Sequence, residues 1–88
     1  MERTNPVLVA AFARALRRRR RAAGLSQEEL AFRAELSVSY VSFLETRRRQ
    51  PTLTVIEALC RQLGTTMAEL MAEIEGEVAA AGRPPTAR

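Results

Sequence analysis

Arginine is the side chain this sequence repeats where chemistry could follow. One run occupies positions 17–21 and a second fills positions 47–49, within a chain of 88 residues that carries fourteen Lys plus Arg against ten Asp plus Glu. Guanidinium groups pair with phosphate and carboxylate oxygens and stay charged at any physiological pH. The charge is uneven: residues 1–52 hold eleven Arg against five Glu, whereas residues 53–88 hold three against five. A basic N-terminal part points to a polyanionic partner, although a solvated surface or an arginine-biased composition gives the same count.

Other chemistry is poorly supplied. The chain has no His, Asp, Lys or Trp, and its single cysteine is Cys60. Neither a zinc site nor a Ser-His or Cys-His nucleophile can be assembled from that set, so no metal, cofactor or small-molecule substrate is expected. Glu69, Glu73 and Glu77 recur at helical spacing, as a solvated face does. An enzyme is not expected. One cysteine forms no internal disulfide, which fits a reducing, cytoplasmic setting. No apolar run reaches the ~20 residues that span a bilayer. The first segment places its charges after its apolar stretch, the reverse of a secretory signal.

Five helical segments must position these groups, and the fold class expected is all-α. Pro6 opens the first, over 6–23, and Gly24 ends it. Ser26 with Glu29 forms a capping box for a second, over 27–34. Ser37 caps a third, over 38–46. Thr52 opens a fourth, to 63, which Gly64 ends. Thr66 with Glu69 caps a fifth that fades around 78–81. The spacing assigns Val9, Phe12, Leu16 and Ala23 to the core stripe of the first helix. Leu30 and Ala31, Val41 and Leu44, and Leu53, Ile56, Leu59, Cys60 and Leu63 follow in the next three, with Leu25 and Leu36 at the turns. Met67, Leu70, Met71, Ile74 and Val78 complete the fifth. A single domain over 7–81 is expected, with disordered ends at 1–6 and 82–88.

Five consecutive arginines cover more than a helical turn, so they cannot all face water. Arg20 falls four residues after Leu16 and three before Ala23, on the core stripe. A guanidinium there needs an acidic partner. Glu45, next to the inward Val41 and Leu44, is the candidate for a structural Arg20–Glu45 ion pair.

Two short helices joined around Leu36 form a helix-turn-helix pattern. The string RRRRRAAGLSQEELAFRAELSVSYVSFLETRRRQPTL, followed by IEALCRQLGTTMAELM, resembles the Xre family of Cro/cI-type repressors over about residues 8–71. The resemblance implies a five-helix, lambda-repressor-like bundle that binds double-stranded DNA as a homodimer. It places Gln27 on a DNA phosphate and the start and outer face of the third helix in the major groove. Base reading would fall to Val38, Ser39, Ser42 and Phe43. Phosphate contact would fall to Ser37, Tyr40, Arg47, Arg48 and Arg49. The Arg20–Glu45 pair corresponds to one the family has. Two positions depart from the family's glycines: Glu35 in the turn and Arg47 after the third helix.

With Val41 inward and about 100° per residue, Ser39 and Phe43 point outward, Ser42 and Thr46 flank them, and Val38 stands at the tip. Long amide and guanidinium groups are missing from this face, so bidentate reading of adenine or guanine is not available to it. Val38 and Phe43 suit thymine methyls, which predicts a T-rich half-site supported by arginine–phosphate contacts and DNA shape. Packing of Phe43 on a neighbouring loop or against a partner protein is the alternative. Ser26, Ser37 and Thr66 are equally well explained as plain caps.

Met71, Ile74 and Val78 are expected to form a two-fold dimer seam, with half-sites about 34 Å apart. The length matches stand-alone regulators such as restriction–modification controller proteins and antitoxins. The antitoxin alternative expects residues 75–88 to order on a partner protein, and a protein-interaction module is the further alternative.

Overall fold

The structure, a computed structural model, describes residues 3–82, and the expectations for residues 1–2 and 83–88 lie outside them. Five helices follow one another: α1 Pro6–Ala22, α2 Gln27–Ala34, α3 Val38–Glu45, α4 Leu53–Leu63 and α5 Met67–Gly82. No strand occurs among the described residues. None of the helices is long and apolar enough to cross a membrane.

Local chemistry accounts for each start. The Asn5 side chain accepts from the Leu8 amide at 3.1 Å, and Pro6 brings a preset φ to the first turn. The helix thus opens at Pro6, as expected, with Asn5 as its cap. Ser26 and Glu29 cap each other reciprocally at 3.0 and 2.8 Å, as do Thr66 and Glu69 at 3.1 and 3.2 Å. Ser37 accepts from Tyr40 at 3.0 Å and Thr52 from Val55 at 3.2 Å. α5 continues through Gly82, past the expected fade, so residues 75–82 are already helical within this chain.

Two helix ends carry backbone strain. α2 closes through Glu35 at φ 59°, with the Leu36 amide reaching back to the Ala31 carbonyl at 2.8 Å. α3 closes the same way through Arg47 at φ 66°, the Arg48 amide bonding the Phe43 carbonyl at 2.8 Å. Both are left-handed endings that glycine fills without a steric penalty. The glycine-type turn is thus retained with bulkier residues in place. Glu35→Gly is expected to raise stability by roughly 0.5–1 kcal/mol, since relief of the left-handed penalty exceeds glycine's added chain entropy. A thermal melt should show a Tm a few degrees higher, and an unchanged or lower Tm would contradict the strain.

Leu16, Leu30, Val41, Leu44, Leu59, Leu70 and Ile74 are fully buried and form one core shared by all five helices. α5 lies chiefly against α1, while α2 and α3 pack on each other and on α4 and α1 respectively. Ala11 and Ala15 are also fully buried, so α1 is covered on a broader face than its large apolar residues mark. Several expectations are corrected. Ala23 is exposed, because the chain has already left the helix there and Leu25 turns inward instead. Leu53 is 74% exposed: it occupies the first helical position of α4, ahead of the turn that Ile56 brings to the core. Leu63, Met67, Met71, Val78 and Leu36 are half-buried at the edge of the core. Cys60 is a buried apolar side chain, and burial pushes its thiol up.

Candidate nucleic-acid interface

The buried Arg20–Glu45 pair predicted from spacing is present and organises the site. Arg20 Nε and Nη2 donate to the two Glu45 carboxylate oxygens at 2.6 and 3.0 Å. Its Nη1 donates to the Leu25 carbonyl at 2.8 Å. One guanidinium thereby joins α1, the turn before α2 and the end of α3. Gln27 Nε2 donates to Glu45 Oε1 at 2.9 Å, and Arg17 donates to the Glu45 main-chain carbonyl at 3.3 Å. Among the described residues no buried side-chain nitrogen or oxygen lacks a partner. Burial pushes the Glu45 carboxyl up, but the hydrogen bonds and charges of Arg20, Gln27 and Arg17 outweigh it and hold the group below the usual carboxylate range. The pose of α3 is therefore tied to α1 by a satisfied polar network.

The structure places the outward residues of α3 as follows. Val38 at the tip is 42% exposed, and Ser37 and Ser39 beside it are exposed. Ser42 and Phe43 are half-buried. Tyr40 is half-buried and packs against the core, with its ring at the edge. Thr46 donates its hydroxyl to the Ser42 carbonyl at 2.8 Å and so is turned back on its own helix.

Arg47, Arg48 and Arg49 are exposed beyond the end of α3. Arg48 and Arg49 both hold their guanidinium carbons near the Phe43 ring, at 5.8 and 5.9 Å from its centroid. Cations over an aromatic face at that range are attracted by the ring's quadrupole. Two positive charges are thus gathered beside the half-buried Phe43 ring at the edge of α3. Gln27 is half-buried at the start of α2, with its amide engaged with Glu45.

The five-arginine run is sorted by the fold. Arg20 is buried. Arg18 pairs with Glu73 and Glu77, Arg19 with Glu73 at 2.7 Å, and Arg14 with Glu77. Burial pushes the Glu73 carboxyl up, but Arg18 and Arg19 more than reverse this, and the hydrogen bond from Arg14 leads in holding Glu77 down. The acids of α5 are thus not merely a solvated stripe: Glu73 and Glu77 are interhelical partners, and Glu69 is a cap. Matching four-residue spacings, Arg14 with Arg18 and Glu73 with Glu77, are the sequence signal for this.

The expected dimer seam fares differently residue by residue. Ile74 is 2% exposed and belongs to the chain's own core, because α5 turns that side toward α1. Met71 and Val78 stay partly accessible, and Met71 joins Leu8, Phe12 and Pro51 around an apolar hollow of about 240 Å³.

A capped pair of short helices, the second exposing its tip beside a cluster of arginines and locked from behind by a buried ion pair, defines a helix-turn-helix protein. The helix-turn-helix family HTH_3 matches residues 16–70, more than half the chain. The uncharacterized HTH-type transcriptional regulator y4dJ of Sinorhizobium fredii is 43% identical over 54 residues, 61% of this chain and 70% of that protein. The crystal structure of the clp gene regulator ClgR from Corynebacterium glutamicum superposes with a TM-score of 0.81 at 31% identity, over 89% of this chain and 83% of that one. The restriction–modification controller protein C.Esp1396I, solved as a tetramer with its natural 35 base-pair operator, shares the fold with a TM-score of 0.74 at 22% identity, over 81% of this chain and 93% of that one. The chain belongs to the helix-turn-helix family, of the Xre type.

Proposed function

We propose that this chain, a helix-turn-helix DNA-binding transcription regulator, acts as a cytoplasmic homodimer on a pseudo-palindromic operator. α3 enters the major groove, and Arg47, Arg48 and Arg49 hold phosphates. This reading makes the chain a binding protein and not an enzyme. The observation that carries it is the arrangement at the end of α3: an exposed tip at Val38 and Ser39, with two guanidiniums gathered on the Phe43 ring. The operator complex of the similarly folded controller protein supports it. Val38 supplies apolar contact to a thymine methyl, while Ser39 and Ser42 supply short hydroxyl bonds. Ser37 and Tyr40 approach the backbone, and Gln27 contributes its remaining amide hydrogen. Met71 and Val78, with exposed Leu8 beside Met71, offer the surface for the second copy.

Phe43 acts in this scheme chiefly by positioning Arg48 and Arg49. Phe43→Ala is expected to weaken binding uniformly, roughly two- to fivefold for each cation–π pairing it removes, with base preferences unchanged. Affinities measured across single-base variants check this, since losses confined to particular bases would make Phe43 a base reader instead.

Selection from a random pool of duplex DNA tests the whole reading. Enrichment of a pseudo-palindrome with half-sites about 10 base pairs apart is the expected result. No enrichment at low salt would overturn it and leave the fold serving a protein partner.

A further inference from the structure

An arginine-lined cavity lies away from the reading face of α3. It occupies about 640 Å³ between α1 and the end of α3, walled by Arg14, Arg17, Arg18, Arg21, Arg47 and Thr46, with Glu45 as the one acid of its lining. Ala10 and Ala13 also line it. Its charge is only partly answered. Arg14 and Arg18 point to Glu73 and Glu77, and Glu45 is already held by Arg20 and Gln27. Arg17 pairs with that same carboxylate at 3.7 Å and donates to the Glu45 main-chain carbonyl at 3.3 Å, yet keeps 43% of its side chain exposed. Arg21 and Arg47 make no ion pair among the described residues. Arg47, moreover, stands at φ 66°, a conformation that carries a steric cost for a long side chain.

From this juxtaposition we infer that Arg17, Arg21 and Arg47 form a second phosphate site on α1, which takes the DNA backbone flanking the half-site. The inference deepens the DNA-binding reading and rests on it. Arg47 belongs both to the cavity wall and to the arginine loop after α3, so a strand lying on that loop continues directly into the cavity. The chemistry favours a phosphodiester strand over a small anionic effector. Its uncharged lining is Ala10, Ala13 and Thr46, and the Thr46 hydroxyl is spent on the Ser42 carbonyl. The cavity consequently offers charge without the oriented polar groups that select one small molecule. Contacts of this kind add affinity and register but carry no sequence information. With this site the chain covers DNA beyond the reach of α3.

The salt dependence of binding tests it, using a duplex carrying the selected operator and a scrambled duplex of equal length. Each phosphate contact contributes about 0.9 to the slope of log K against log salt. Arg21→Gln is therefore expected to lower the slope by about 0.9 and the Arg17→Gln/Arg21→Gln pair by about 1.8, on both duplexes alike. Arg61→Gln, on α4 and paired with Glu57, serves as the control with an unchanged slope. Melting curves establish that each variant is folded; since Arg17 touches the Glu45 network and Arg21 does not, the single variant decides should the pair unfold. Wild-type binding with an unaltered slope in Arg21→Gln overturns the site. Absence of wild-type binding overturns the regulator reading and this site with it. A Tm raised by tripolyphosphate in the wild type and not in the pair, with no change of slope, would assign the cavity to a free phosphorylated ligand and overturn the DNA assignment.

Discussion

Glu45→Ala is expected to cost about 3–5 kcal/mol of folding stability, the largest effect of any single substitution at a polar position. The magnitude comes less from the missing attraction than from what remains. Arg20 would stay beneath α3 with two of its donors facing no acceptor, and Gln27 and Arg17 would lose the group they share. Small domains have only about 5–15 kcal/mol in total, so the variant should melt more than ten degrees lower or fail to fold at 37 °C. Urea and thermal unfolding measure it. Replacing both partners by apolar residues, Arg20→Met with Glu45→Leu, should recover most of the loss, because no buried charge is then left alone. Equal destabilisation by the single and double variants would show that the pair acts through shape and not charge.

The same carboxylate predicts how stability follows pH. Glu45, Glu73 and Glu77 are all held below the ordinary carboxylate range in the folded chain. A depressed folded value means that the unfolded chain binds protons first as pH falls. Their stabilisation is fully present above the unfolded value of about 4.3 and is lost as pH falls through the folded values. Acid unfolding below about pH 4 is expected, and Glu45→Leu in the Arg20→Met background should flatten that dependence.

The second large effect concerns binding. Replacing Arg47, Arg48 and Arg49 together by glutamine is expected to make log K against log salt shallower by about 2.7, from three contacts of about 0.9 each. Affinity should fall on the order of 10²-fold on every sequence, with preferences retained, because phosphate contacts position and do not specify. Titrations of selected and scrambled duplexes across a salt series check both. Arg47→Gly separates two roles at one residue. It removes one phosphate contact, yet relieves a left-handed backbone, so affinity should drop while Tm rises. A fall in both would mean that the Arg47 side chain supports the fold itself.

Much of the fold is written in short-range chemistry. Ser26, Ser37, Thr52 and Thr66 each announce a helix start, because a cap satisfies amides three residues away and needs nothing remote. Asn5 is an equally local cap, less conspicuous beside Pro6, which opens the same helix. The Arg20–Glu45 pair is legible for a different reason: a charge on an apolar stripe is so costly that its neighbourhood must contain a partner, and few acids are in reach.

Facing directions across the bundle are less legible. Ile74 and Val78 share one stripe in sequence, yet the first is buried by α1 and the second only half so. Phe32, a large apolar residue outside the core stripe of its helix, stands 85% exposed on α2. Period alone says which residues share a face and not how far a neighbouring helix covers it.

By itself the sequence determined the helix starts, the buried ion pair and the arginine loop, since each depends on spacing within a few residues or on one unavoidable partner, and its resemblance over about residues 8–71 pointed to the family. Tertiary structure alone decided which arginines remain available to a phosphate. Arg14, Arg18 and Arg19 are drawn to α5 by Glu73 and Glu77, whereas Arg21 and Arg47 meet no acid among the described residues. It also placed Arg48 and Arg49 over Phe43. Charge is a property of the residue, but its availability depends on what packing brings within a few ångströms, and that is settled only when α1, α3 and α5 meet.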